Sequence, residues 1–85
     1  MQNVTTPTVF SIITDFLASN PSAEDIINYR LPDELQERAH ELLERNGEDK
    51  LTFEEQQEMY DFLRIEEMMS LLKAKKRLQL KREAE

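Results

Sequence analysis

Apolar residues return at intervals of three and four in three stretches of the chain, the spacing that gathers side chains on one side of an α-helix. The first stretch holds Val9, Ile12, Ile13, Phe16 and Leu17, the second Leu35, Ala39, Leu42 and Leu43, and the third Phe62, Ile65, Met69 and Leu72. A strand over Thr8 to Thr14 is the alternative for the first stretch, since β-branched residues are frequent there, but adjacent Ile12 and Ile13 break the required alternation.

The punctuation between these stretches sets the boundaries. Thr6-Pro7 predicts an N-cap followed by proline at the first helical position, so helix one is expected over Pro7 to Ala18. Ser19-Asn20-Pro21-Ser22 ends it, and Ser22 with Asp25 predicts a capping box opening a short second helix. That helix should end near Tyr29 or Arg30, because Pro32 disfavours helical geometry at Leu31. Pro32 suits the first position of helix three, with Asp33, Glu34 and Glu37 near its positive end and Asn46-Gly47 as a left-handed C-terminal cap. Thr52 and Glu55 form a T-x-x-E box, with Leu51 before it placed for a staple-like contact with Gln56 or its neighbours. No Gly or Pro interrupts the chain after Phe53, so helix four should persist to about Leu80. The fold class is therefore all-α: a small domain of about four helices with a helix-turn-helix hairpin, 33–46 and 53–80, and a long C-terminal helix.

Helix four is the longer arm, roughly 40 Å against about 20 Å for helix three at 1.5 Å per residue. An antiparallel hairpin leaves its second half uncovered from about Glu66, a stretch containing Met68, Met69, Leu71 and Leu72. Helices one and two, a second copy or another protein must cover it. The periodic run Phe62, Ile65, Met69, Leu72, with Met68, Leu71 and Leu78 on an adjoining strip, is too short for a long coiled coil. Methionine repacks readily at adaptable surfaces. Met59 is assigned to the hairpin core, and Phe62, Ile65, Met68, Met69, Leu71 and Leu72 are the candidate partner-binding residues. On that assignment, Met69→Glu with Leu72→Glu abolishes binding and spares helicity.

Composition narrows the function more than the fold. A chain of 85 residues is a single domain, 1–85, with residues 1–5 expected to be flexible and 73–85 forming a basic C-terminal extension. With no cysteine there is no disulfide framework, thiolate zinc site or cysteine nucleophile, which fits a reducing compartment, and a cytoplasmic location is expected. No apolar run approaches the length of a membrane span. Through Leu72 there are 16 acidic against 5 basic residues, −11, whereas Lys73 to Glu85 has 6 basic against 2 acidic, +4. An acidic body favours basic partners, and Lys73, Lys75, Lys76 and Arg77 could meet phosphate or an acidic surface. The bland reading of that cluster is strong, because cations near a helix C-terminus complement its dipole. Nucleic-acid contact is thus at most weak.

Catalytic and metal chemistry find little support. His40 is the sole histidine, beside the apolar stripe of helix three, with no second His and no Cys to complete a metal shell. Ser11, Ser19, Ser22 and Ser70 sit in helices or caps without a Gly-rich turn to expose a nucleophile. Carboxylate pairs such as Glu37 with Glu41 and Glu54 with Glu58 are what solvated helix faces produce, and a chain of this size is expected to have little room for the concave, partly desolvated site that would separate their pKa values. Glu44 to Glu55 superficially follows a calcium loop, with Glu55 twelfth, but Asp49 stands where the sharp turn needs Gly and Glu44 where Asp is usual. A plain interhelical loop fits better. No enzyme, cofactor or metal is expected.

The order of these pieces carries a resemblance. Phe16-Leu17-Ala18-Ser19-Asn20-Pro21-Ser22-Ala23-Glu24-Asp25-Ile26-Ile27, then Tyr29-Arg30-Leu31-Pro32, Leu42-Leu43-Glu44-Arg45-Asn46, Leu51-Thr52 with Glu54-Glu55, and Leu71-Leu72-Lys73-Ala74-Lys75 together resemble a family of short cyanobacterial proteins. Members are commonly encoded beside HNH-endonuclease-like or other toxin-like genes and are regarded as antitoxin-like. The resemblance implies a protein partner, a basic nuclease-like toxin, and no catalytic residue. The family often has Gly where Asn20 stands and Pro at Ala23 and Phe53, so the turn before helix two and the first turn of helix four are expected to differ in detail. The alternative from the residues alone is a homo-oligomer through the C-terminal helix, its basic tail touching nucleic acid or another protein, with no role for a membrane.

Overall fold

A computed structural model describes residues 8–84, in which four helices follow one another: α1 (Val9–Ala18), α2 (Ala23–Ile27), α3 (Asp33–Gly47) and α4 (Phe53–Ala84). There is no strand among the described residues, so the all-α expectation holds and the strand alternative over 8–14 is removed. At 32 residues α4 runs about 48 Å. It spans nearly the whole 50 Å long axis of the molecule, and α1, α2 and α3 each pack against it.

Local chemistry accounts for most boundaries. Ser22 and Asp25 close their capping box in both directions, Asp25 N–H to Ser22 Oγ at 3.0 Å and Ser22 N–H to Asp25 Oδ2 at 3.2 Å. Thr52 and Glu55 do the same at the start of α4, at 3.0 and 3.1 Å. Each box satisfies two of the amide donors that a helix start leaves without partners. Leu51, just outside the second box, is half-buried against the core.

Several boundaries shift. α1 is capped by Thr8, whose Oγ1 accepts from the Ser11 amide at 3.0 Å; the expected Thr6-Pro7 cap and residues 1–5 lie outside the described residues. α2 stops at Ile27, two residues before Tyr29, with Asn28 as its C-cap; Pro32, which disfavours helical geometry at Leu31, lies beyond that end. Pro32 is itself the N-cap of α3 (φ −53°, ψ 147°), not its first residue, and its carbonyl accepts from Leu35 and Gln36. Gly47 is the last residue of α3, and the left-handed position falls at Asp49 (φ 61°). The turn closes around it, with the Lys50 amide reaching back to the Arg45 carbonyl at 3.0 Å. α4 continues to Ala84, past Leu80, because nothing in Lys81-Arg82-Glu83 breaks it.

The core is one cluster formed by Val9 and Ile13 of α1, Leu42 of α3, and Met59, Phe62, Ile65 and Met69 of α4. Ile13 and Leu42 are the most completely buried. No polar or charged residue is buried among the described residues, so the core contains no unpaired polar side chain. α1 and α2 lie beside the part of α4 that a two-helix hairpin leaves bare. Phe16 stacks on Tyr29 with ring centroids 4.1 Å apart, and Lys73 Nζ of α4 donates to the Tyr29 carbonyl at 2.7 Å.

Candidate docking surfaces

The structure divides the predicted partner-binding residues in two. Phe62, Ile65 and Met69 are core residues, exposed by only 7%, 3% and 6%, and Leu72 is half-buried against them. This corrects the sequence assignment: α1 and α2 supply the cover that the hairpin alone lacked. Met68 and Leu71 remain exposed, pointing away from that cluster. Of the basic candidates, Lys73 is held by the Tyr29 carbonyl and Lys76 Nζ donates to Gln79 Oε1 at 3.3 Å. Lys75 and Arg77 are exposed.

An ionic network joins the start of α4 to α3. The Arg38 guanidinium forks onto Glu58 through Nε at 2.9 Å and Nη2 at 2.8 Å, and its Nη1 meets Glu41 at 2.7 Å. Arg45 forks onto Glu55 at 2.7 and 3.0 Å. The Arg38–Glu55 approach of 3.7 Å connects the two forks. Planar guanidinium and carboxylate match geometrically, so such pairs fix alignment better than single contacts do. The Thr52 amide bond, followed by the charges of Arg45 and Arg38, holds the Glu55 carboxyl below the ordinary glutamate range despite opposing desolvation. The bonds from Glu58 and Glu41 raise the pKa of Arg38 further. Burial pushes the Tyr29 phenol up. The Arg38 and Arg45 forks tie α3 to the start of α4.

A concavity of about 860 Å³ opens where the N-terminal ends of α1, α3 and α4 converge. Its lining is apolar at Val9, Ile12, Leu35 and Phe62, with the exposed Phe53 at its edge, where the groove meets the outer side of α4, and it carries Glu34, Glu54, Glu58 and Asp61. Arg38 also lines it, but its charge is taken up by Glu58 and Glu41. Glu34, Glu54 and Asp61 make no ion pair among the described residues. Sequence reading missed this groove because its walls come from three helices distant along the chain.

A second groove of about 320 Å³ runs between α3 and α4, with Leu43, Leu63 and His40 on its walls. His40 is exposed, and no group of three His, Cys, Asp or Glu side chains that could hold a metal occurs among the described residues. The Asn46 to Thr52 connection is an interhelical turn tied by the Arg45–Glu55 fork, which commits the carboxylate a calcium loop would need at its twelfth position.

A third surface is the side of α4 opposite the core. Phe53, Tyr60, Leu71 and Leu78 lie on it, exposed by 72%, 48%, 59% and 48%. Their spacings of seven, eleven and seven residues are near-whole numbers of helical turns, a signal present in the sequence but masked there by the stronger inward stripe. No helix among the described residues is long and apolar enough to cross a membrane. No protein family, curated protein or solved structure matches the chain.

Proposed function

We propose that this chain is a non-enzymatic protein-binding module, an antitoxin-like inhibitor that docks on a basic nuclease-type partner in the cytoplasm and keeps nucleic acid from its active site. The observation that carries the reading is the groove between the starts of α1, α3 and α4, an apolar lining bordered by Glu34, Glu54 and Asp61. A basic segment bearing one or two apolar side chains is its complement. The acidic rim steers such a partner and sets orientation, while desolvated contacts on the lining slow its release. Charge alone would be screened within about 8 Å at physiological salt, so the apolar lining supplies what persists.

The backbone is compatible with the family the sequence resembles. Asn20 has φ 63°, the region glycine enters freely, and Ala23 and Phe53 are each first in their helix, where proline is best accommodated. The expected differences in these turns are thus differences of side chain on a backbone that either residue type suits. Exposed Lys75 and Arg77 provide a minor contact to nucleic acid beside the principal protein partner.

The test begins with copurification from the native cell and identification of the retained protein by mass spectrometry. A basic nuclease whose cleavage of nucleic acid falls when the purified chain is added supports the reading. Glu34→Lys with Glu54→Lys reverses two rim charges that make no ion pair among the described residues, so helicity should hold while inhibition drops at least tenfold. Undiminished inhibition by this variant removes the groove from the mechanism, and a captured protein without a positive surface removes the nuclease reading.

A further inference from the structure

α4 carries apolar side chains on two opposite sides, and only one has a partner within the chain. The outer stripe of Phe53, Tyr60, Leu71 and Leu78 extends over about 38 Å of helix. Two charged residues interrupt it, Arg64 and Glu67, both exposed and without an ion pair among the described residues. Charge is also segregated along the helix: acids dominate from Glu54 to Glu67, bases from Lys73 to Arg82.

We propose that a second copy of this chain docks on this face, its α4 antiparallel to the first about a twofold axis between Arg64 and Glu67. One register satisfies every position. It sets Phe53 opposite Leu78 of the second copy, Tyr60 opposite Leu71, and Arg64 opposite Glu67, with each pair made twice by symmetry. The same alignment sets Glu54 to Glu58 level with Lys73 to Arg77 of the second copy, so the acidic start of each helix lies along the basic part of the other. A parallel pairing places Arg64 on Arg64 and Glu67 on Glu67, with acid against acid along the first half, and like charges oppose it. α1, α2 and α3 pack against the inner side of α4, and α1 and α3 come near the outer stripe only at Phe53, on the edge of the groove they share. Met69 is buried and Leu72 half-buried on the inner side, so what the C-terminal helix leaves open to a second copy is the outer stripe. The pairing requires no nuclease partner, and it meets the acid-rimmed groove only at Phe53, which borders both surfaces.

Sedimentation equilibrium of the full chain over a concentration series should show a species of twice the monomer mass. Leu71→Glu with Leu78→Glu should shift the dissociation constant at least tenfold while far-UV helicity stays within a few per cent, since both side chains are exposed. Orientation is read by cross-linking, which a cysteine-free chain makes unambiguous. Phe53→Cys mixed with Leu78→Cys should form a disulfide-linked dimer on mild oxidation, and neither variant alone should. A chain that stays monomeric at every concentration, or Phe53→Cys linking to itself as readily as to Leu78→Cys, overturns the proposal; a different protein retained by this face of a monomeric chain overturns it equally.

Discussion

The two sides of α4 are built from the same kinds of residue and meet different fates. The inner side, Met59, Phe62, Ile65 and Met69, is almost closed to solvent, whereas the outer side, Phe53, Tyr60, Leu71 and Leu78, is about half or more exposed. Periodicity does not separate them, since both recur at near-whole helical turns. What separates them is supply. α1 offers Val9 and Ile13 and α3 offers Leu42, and these apolar groups can cover only one side of a rod. The density of apolar neighbours on the inner side decided the matter: α4 places residues three and four apart there, while outward it alternates large apolar side chains with Arg64 and Glu67. Burying those two charges against α1 or α3 would carry a desolvation cost that the inner stripe avoids.

The largest test of this contrast is a double substitution to glutamate on each side. Met69→Glu with Leu72→Glu introduces carboxylates at a buried and a half-buried core position, and a domain of this size has a total stability on the order of 5 kcal/mol. Helicity at 222 nm should collapse at neutral pH and recover in part on acidification, when the carboxyls become neutral. This reverses what the sequence suggested for the same pair, binding lost with the fold intact. The matching outer pair, Leu71→Glu with Leu78→Glu, should leave the helical signal close to native. Equal damage from both pairs would remove the distinction between the faces.

How much of this was legible in the sequence depends on how far apart the cooperating residues are. Ser22 with Asp25 and Thr52 with Glu55 interact across three residues, so their capping boxes could be read directly. The left-handed position was assigned to Gly47, as glycine is the residue that adopts it most cheaply, yet α3 keeps Gly47 helical and Asp49 takes the strained turn. The inward and outward sides of α4 could not be assigned, because that requires knowing where α1 and α2 dock. Treating α3 and α4 as the principal unit left the second half of α4 bare and made Phe62, Ile65 and Met69 look available. Phe16, Tyr29 and Lys73 meet only in the folded chain, and together they close that end.

A smaller effect is expected at the point where the two sides of α4 begin. Thr52→Ala removes the acceptor for the Glu55 amide, and loss of such a cap costs about 1 kcal/mol. Urea unfolding should show the midpoint lowered with an unchanged slope. Amide exchange should localise the loss to residues 53–58, loosening Phe53 on the outer side, while protection at Met59 to Met69 falls only by the global amount. Uniform loss along α4 would mean that the cap governs both sides together.

The mildest probe is acid, read at Glu55 on the inner side. Glu55 is held below the ordinary glutamate range, chiefly by the Thr52 amide and then by Arg45 and Arg38, so the native state takes up a proton at lower pH than the unfolded chain. Its contribution is fully present above the unfolded value, about 4.3, and disappears as pH falls through the depressed native value. Stability should therefore decline with acidification from about pH 5 downward. Glu55→Gln keeps an oxygen for the Thr52 amide but gives up the charge that Arg45 forks onto, so it should be less stable than the parent at pH 7 and should converge on it as pH drops. Denaturant midpoints for the two chains at four or five pH values between 7 and 3 measure the gap. A gap independent of pH would assign Glu55 a packing role, whereas a closing one ties α3 to α4 by charge, at the end of the helix where its inner and outer sides first part.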